Sequence, residues 1–107
     1  IYMEPKQIRY PGFSLDMLQR KVMVEKKEVL LTAREFDVLA VMARHPGRVY
    51  TYAQICHMIY GETDVGEETY SSVYCLIGSL RKKLEKDPRH SRYLHTVYGV
   101  GYRFEIA

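Results

Sequence analysis

The stretch "TYSSVYCLIGSLRKKL", Thr69 to Leu84, decides the fold, because it reads as one amphipathic helix with an unusual outer face. At about 100° per residue, Val73, Leu76, Ile77, Leu80 and Leu84 share one side. Ser71, Cys75, Gly78, Ser79 and Lys82 point away from that side, while Tyr70, Tyr74 and Arg81 lie along one flank. Glu67 and Glu68 suit the positive end of the helix dipole. Pro88 lies beyond the other end, so the helix runs from about 67 to about 85.

Two shorter helices precede it, each announced by a capping box. Thr32 is followed three residues later by Glu35, with Leu31 and Phe36 at the spacing of a hydrophobic staple. Phe36, Leu39, Ala40 and Ala43 then fall on one face, and Pro46-Gly47 ends the segment. Thr51 and Gln54 repeat the box, with Tyr50 and Ile55 as the staple. Ile55, Met58 and Ile59 make the second apolar stripe, and Gly61 suits its C-terminal cap.

Residues 2 to 31 alternate with period two. Ile8 and Tyr10 flank Arg9; Phe13, Leu15 and Met17 are separated by Ser14 and Asp16. Val22 and Val24 continue the pattern, Lys26-Lys27 offers a polar turn, and Val29-Leu30-Leu31 follows. Short alternating runs with close turns predict a small antiparallel meander. At the other end, Tyr93 to Tyr98 and Tyr102 to Phe104 surround Gly99-Val100-Gly101 and predict a hairpin.

The fold class that results is α+β. A winged helix-turn-helix combines an N-terminal antiparallel sheet (1–31), a three-helix core (32–87) and a C-terminal β-hairpin wing (93–105), all in one unit of 1–107. The 107 residues, 47% hydrophobic and 27% charged, suit one globular domain. No apolar run approaches the roughly 20 residues of a membrane span. The start has no secretory h-region, and a first residue other than Met fits a piece of a longer chain. Cys56 and Cys75 read as free thiols in a reducing compartment, hence the cytoplasm.

Catalysis finds little support. His45, His57, His90 and His95 form no metal-spaced pattern with one another or with the cysteines, so neither a metal nor another cofactor is expected. Cys56 and His57 are adjacent and point apart on a helix, which makes a nucleophile pair a poor reading. Ser71, Ser72 and Ser79 have no partner base that the sequence identifies.

Nucleic acid is the better-supported partner. The net charge of +3 is compatible with it without being a strong basic signature. In a winged helix the last helix enters the major groove and the hairpin reaches a neighbouring groove or the backbone. Lys82 and Arg81 are candidates for phosphate or base contact, against the plainer reading of a solvated basic face. Thr51 and the amides that start its helix are candidates for phosphate. Arg103 on the hairpin is another, with an ion pair as its alternative.

Three longer stretches carry a resemblance. "LTAREFDVLAVMARHPGRVYTYAQI" (31–55), "MIYG" (58–61) and "SLRKKLEKDPRHSRYLHTVYGVGYRF" (79–104) strongly resemble the effector domain of OmpR/PhoB-type response regulators. The resemblance implies a bacterial transcription regulator of a two-component system, with a four-stranded N-terminal sheet. It also implies an upstream receiver domain, a cognate sensor kinase, and tandem or dimeric binding to promoter DNA. The acidic loop with Glu62, Thr63 and Asp64 resembles the family segment that touches RNA polymerase.

The third helix departs from the family's usual Arg-Thr-Val-Asp-Val-His-Ile-x-Arg-Leu-Arg-Lys. Ser71 stands for the first Arg, Tyr74 for Asp, Leu76 for His and Ser79 for the Arg before Leu80. In the hairpin, Tyr98 stands where Thr-Val-Arg-Gly has its Arg, after Thr96-Val97. The expected DNA-binding set is therefore Thr51, Ser71, Tyr74, Cys75, Gly78, Ser79, Arg81, Lys82, Thr96 and Tyr98. Serines hydrogen-bond bases or phosphates without adding charge; Tyr74 and Tyr98 offer hydroxyls to phosphate or rings to sugars and thymine methyls. Gly78 costs about 1 kcal/mol relative to Ala in a helix interior, and lets a base edge come close. The rival expectation is a degenerate winged helix that serves protein contact, because small residues and tyrosine also suit an interface.

Overall fold

Period-two alternation is what the first strands use to bury one face. β1 (Gln7–Tyr10), β2 (Phe13–Asp16), β3 (Lys21–Val24) and β4 (Lys27–Val29) form an antiparallel sheet in chain order. The register sets Ile8 opposite Leu15, Leu15 opposite Val22, and Val22 opposite Val29. Ile8, Leu15 and Val22 are buried as a consequence of sharing one side. This is a computed structural model, and it describes residues 6–61 and 67–106. The polar turn falls one residue earlier than Lys26-Lys27. Glu25 and Lys26 take φ of 50° and 67°, the double positive φ that matches a two-residue hairpin to strand twist. Lys27 is thereby the first residue of β4, and Leu30 lies beyond the strand, exposed.

Both capping boxes are in place. Thr32 caps α1 (Ala33–Ala43) and Thr51 caps α2 (Tyr52–Tyr60). In each, the threonine hydroxyl accepts an amide proton three residues on, and the Glu35 or Gln54 side chain accepts the cap's own amide proton at 2.8 Å. Gly61 closes α2 with φ 75°. A strand missing from the hairpin expectation precedes α2: β5 (Val49–Thr51) pairs with β7 (Gly101–Phe104), which in turn pairs with β6 (Leu94–Val97) after α3 (Glu67–Leu84). The wing is thus a three-stranded sheet, ordered β5-β7-β6.

Gly101 makes that third pairing fit. A Cβ there would lie 1.9 Å from the Tyr50 carbonyl oxygen. Gly99, with φ 77°, is the residue that makes the hairpin turn; Gly101 serves close approach instead.

The two sheets meet through aromatic rings. The Phe13 ring stands 5.1 Å from Phe104 and 5.3 Å from Tyr93. In the same core, Val73, Ile77, Leu80 and Leu84 of α3 are buried with Phe36, Leu39 and Ile55 of the other helices' inner faces. Leu76, expected among them, is half-buried at the edge of that stripe.

Among the described residues two carboxylates are buried, and each has hydrogen-bond donors, as a charge in the interior requires. Glu85 accepts the amide protons of Arg92, Tyr93 and Leu94 at 3.0 to 3.2 Å, which fixes the entry into β6. Glu35 receives Lys83 Nζ at 2.6 Å and the Ser79 hydroxyl, both from α3. Burial alone would raise its pKa; the bonds from Lys83, Ser79 and Thr32 prevail and bring it to about 2.

Because the folded pKa lies below the ordinary glutamate value, Glu35 stabilises the fold above that value. The contribution disappears as pH falls from about 4.5 towards 2. Glu35→Gln should therefore unfold more easily in urea at pH 7, by about 3 kcal/mol, and the gap to the parent should close towards pH 2. Gly101→Ala should cost about 3 kcal/mol or more at any pH, because backbone cannot move aside as a side chain can; urea titration measures both.

Candidate nucleic-acid interface

Both flanks of α3 are tied to the rest of the molecule, and the ties define what is left facing outward. On one flank lie Ser79 and Lys83, bonded to Glu35 at the start of α1. Ser79 was expected on the outer face. It sits about 80° round the helix from Ser71, close enough to α1 for its hydroxyl to donate to Glu35.

On the other flank lies Arg81. Its guanidinium donates to the Leu94 carbonyl at 3.2 and 3.3 Å and to the Thr96 hydroxyl at 2.7 Å. It also stands 5.5 Å from the Tyr102 ring centroid. Arg81 and Thr96 thus join α3 to the wing, and both are half-buried. Arg103 has a structural partner too, an ion pair with Glu105.

A tyrosine series continues along this flank. Tyr102 meets Tyr52 edge-on at 5.5 Å, and Tyr52 meets Tyr74 at 5.8 Å. Burial first, then the neighbouring tyrosines, push Tyr102 up to about 12, so it stays neutral at physiological pH. A hydrogen bond with Tyr74 raises Tyr52 in the same direction. Tyr74 remains 58% exposed at the outer end of the series.

The strip between the flanks holds Ser71, Cys75, Gly78 and Lys82. Ser71, Cys75 and Lys82 are exposed, and a Cβ at Gly78 would meet nothing within 4 Å. Cys56, by contrast, is buried, beside an exposed His57. Thr51 is half-buried at the start of α2, where its hydroxyl accepts the Gln54 amide proton. Tyr98 stands at the hairpin tip, 91% exposed. Glu62, Thr63 and Asp64 lie outside the described residues, as does the side chain of Tyr70.

One cation escaped the sequence reading. Arg34, exposed in the first turn of α1, lines a shallow depression with Tyr60, Ser71, Ser72 and Cys75, its guanidinium 5.4 Å from the Tyr60 ring. Its separation in sequence from α3 hid it; only packing brings α1's start beside the outward strip. Among the described residues no three His, Cys, Asp or Glu side chains converge as a metal site. No helix among them is long and apolar enough to cross a membrane.

Three helices with a sheet-backed hairpin beside the third define a winged-helix domain. Residues 26–104 match the family described as "Transcriptional regulatory protein, C terminal". The chain belongs to that family, as an effector domain of the OmpR/PhoB response-regulator type.

It is 35% identical over 99 residues to the KDP operon transcriptional regulatory protein KdpE of Escherichia coli K12, covering 92% of this chain and 43% of that protein. The chain spans less than half the length of such curated relatives. Among solved structures it is similar to the DNA-binding domain of Klebsiella pneumoniae RstA, solved in complex with the RstA box. The TM-score is 0.84 and the identity 30%, over 94% of this chain and 98% of that one. The DNA-binding domain of response regulator AdeR, in complex with an intercistronic region, gives 0.74 and 28% over 94% and 100% of the two chains.

The two neighbouring cations of α3 should separate in a thermal melt. Arg81→Ala removes charged hydrogen bonds to the wing and should destabilise by about 2 kcal/mol. Lys82→Ala should change stability by less than about 0.5 kcal/mol. Circular dichroism melts of the two variants check this.

Proposed function

We propose that the chain reads promoter DNA by laying Ser71, Tyr74, Cys75, Gly78 and Lys82 in the major groove. The hairpin tip carries Tyr98 to an adjacent groove or to the backbone. The observation that supports this most is the outward strip of α3, which stays exposed while both flanks are tied down. Thr51 at the start of α2 and Arg34 at the start of α1 flank the strip and suit phosphate contact. Arg81, Thr96 and Ser79 act indirectly, by holding α3 and the wing in their relative positions.

In the whole protein, a receiver domain phosphorylated by a cognate sensor kinase would precede this unit, and binding would be tandem or dimeric on repeated half-sites. The segment with Glu62, Thr63 and Asp64 is the proposed contact with RNA polymerase, its acidity matched to a basic patch. The work takes place in the bacterial cytoplasm and involves no enzymatic step. A module for protein contact alone is less favoured, because similar domains were solved on DNA.

Ser71 and Ser79 bring no cation, Arg81 is engaged by the wing, and Lys83 by Glu35. Few positive charges are left to displace counterions from DNA. Fluorescence anisotropy over a salt series should give a shallower slope of log K against log salt than a relative with arginine at those positions. A slope as steep as the relative's would contradict the proposed face. Lys82→Ala should weaken binding to all duplexes alike and reduce the slope by about 1; unchanged affinity with the fold intact would place the docking surface elsewhere.

A further inference from the structure

From Ser71 to Leu80, α3 carries no Arg, Lys, Asn, Gln, Asp or Glu. Those are the side chains that form paired hydrogen bonds with guanine, adenine or cytosine edges in the major groove. Lys82 lies beyond this stretch, at the C-terminal end of the strip, and the serines accept any base; the group left for Tyr74 to read by apolar contact is the C5-methyl of thymine.

Tyr74 offers the apolar surface, and it is held in place. Its ring packs on Tyr52, whose ring meets Tyr102, which in turn lies under the Arg81 guanidinium. Its hydroxyl is shared with Tyr52. One turn further along, a Cβ at Gly78 would meet nothing within 4 Å, so the helix presents bare backbone there.

We propose that Tyr74 is the specificity-determining residue of α3, its ring seated against thymine methyls, so that the preferred half-site is rich in thymine rather than guanine at the positions under α3. This rests on the DNA-reading function proposed above and adds the base chemistry to it. The side-chain order Arg81, Tyr102, Tyr52, Tyr74 fixes the ring before DNA arrives, so little freedom is lost on docking.

The test pairs a protein change with a DNA change. Duplexes bound by the chain are selected from a random pool, and each thymine of the selected half-site is then replaced by deoxyuridine, which lacks only the methyl. For the parent chain, affinity should fall about fourfold for each methyl that Tyr74 covers. For Tyr74→Ala, whose fold is checked by thermal melt, the same replacement should have no further effect. Tyr74→Phe keeps the ring and should keep the discrimination. Gly78→Ala should melt higher and bind more weakly, because a helix gains from alanine while the space for the methyl is filled.

Binding with equal affinity to thymine and deoxyuridine duplexes, or a selected site built on guanines under α3, would overturn the role of Tyr74 and leave DNA binding standing. Failure to bind any duplex at low salt would overturn the DNA-reading function itself, and the role of Tyr74 with it.

Discussion

The rotation of α3 about its own axis is the constraint on which the rest depends. The Glu35 carboxylate sets one side of it. This residue caps its own helix through Thr32 and also takes Ser79 and Lys83 from α3. A charge buried to this degree is destabilising unless its donors are all present, so a rotation of α3 that moved Lys83 away would leave a bare carboxylate inside. The Arg81 clamp on the wing holds the opposite flank. With both flanks engaged, the strip that faces outward is what remains.

This arrangement separates holding from reading. The residues that hold, Glu35, Ser79, Lys83, Arg81 and Thr96, are polar, yet they bond to protein groups. Of the residues that face outward, Ser71, Cys75 and Gly78 are small and uncharged, with Tyr74 at the edge of the strip and Lys82 at its end. Basic residues concentrated at the end of α3 look alike in sequence, but they divide three ways. Arg81 goes to the wing, Lys83 to Glu35, and Lys82 to solvent. Counting cations on the helix would overstate the charge available to a phosphate backbone.

The wing shows how a single glycine decides a topology. Tyr50 and Thr51 serve α2 as staple and cap, and they also form the strand that widens the hairpin to three strands. The contact exists because Gly101 has no side chain to strike the Tyr50 carbonyl. The paired strand fixes the start of α2 against the wing, and with it the site of Tyr52, the middle ring of the tyrosine series.

Local chemistry was legible in the sequence wherever it is settled by neighbours along the chain. The capping boxes at Thr32 and Thr51, the Gly61 cap, the period-two strands and the α3 core stripe all depend on residues within a few positions of one another. The family likeness was legible too, in stretches such as Leu31 to Ile55. What packing decided involved partners far apart in sequence: Ser79 turning to Glu35, Arg81 bonding the wing, β5 joining β7, and Arg34 arriving beside Ser71. A hydroxyl or guanidinium on a helix flank has no preferred partner until the neighbouring element is in position. Periodicity assigns such residues to a side of the helix, and only the fold determines whether that side meets protein or solvent.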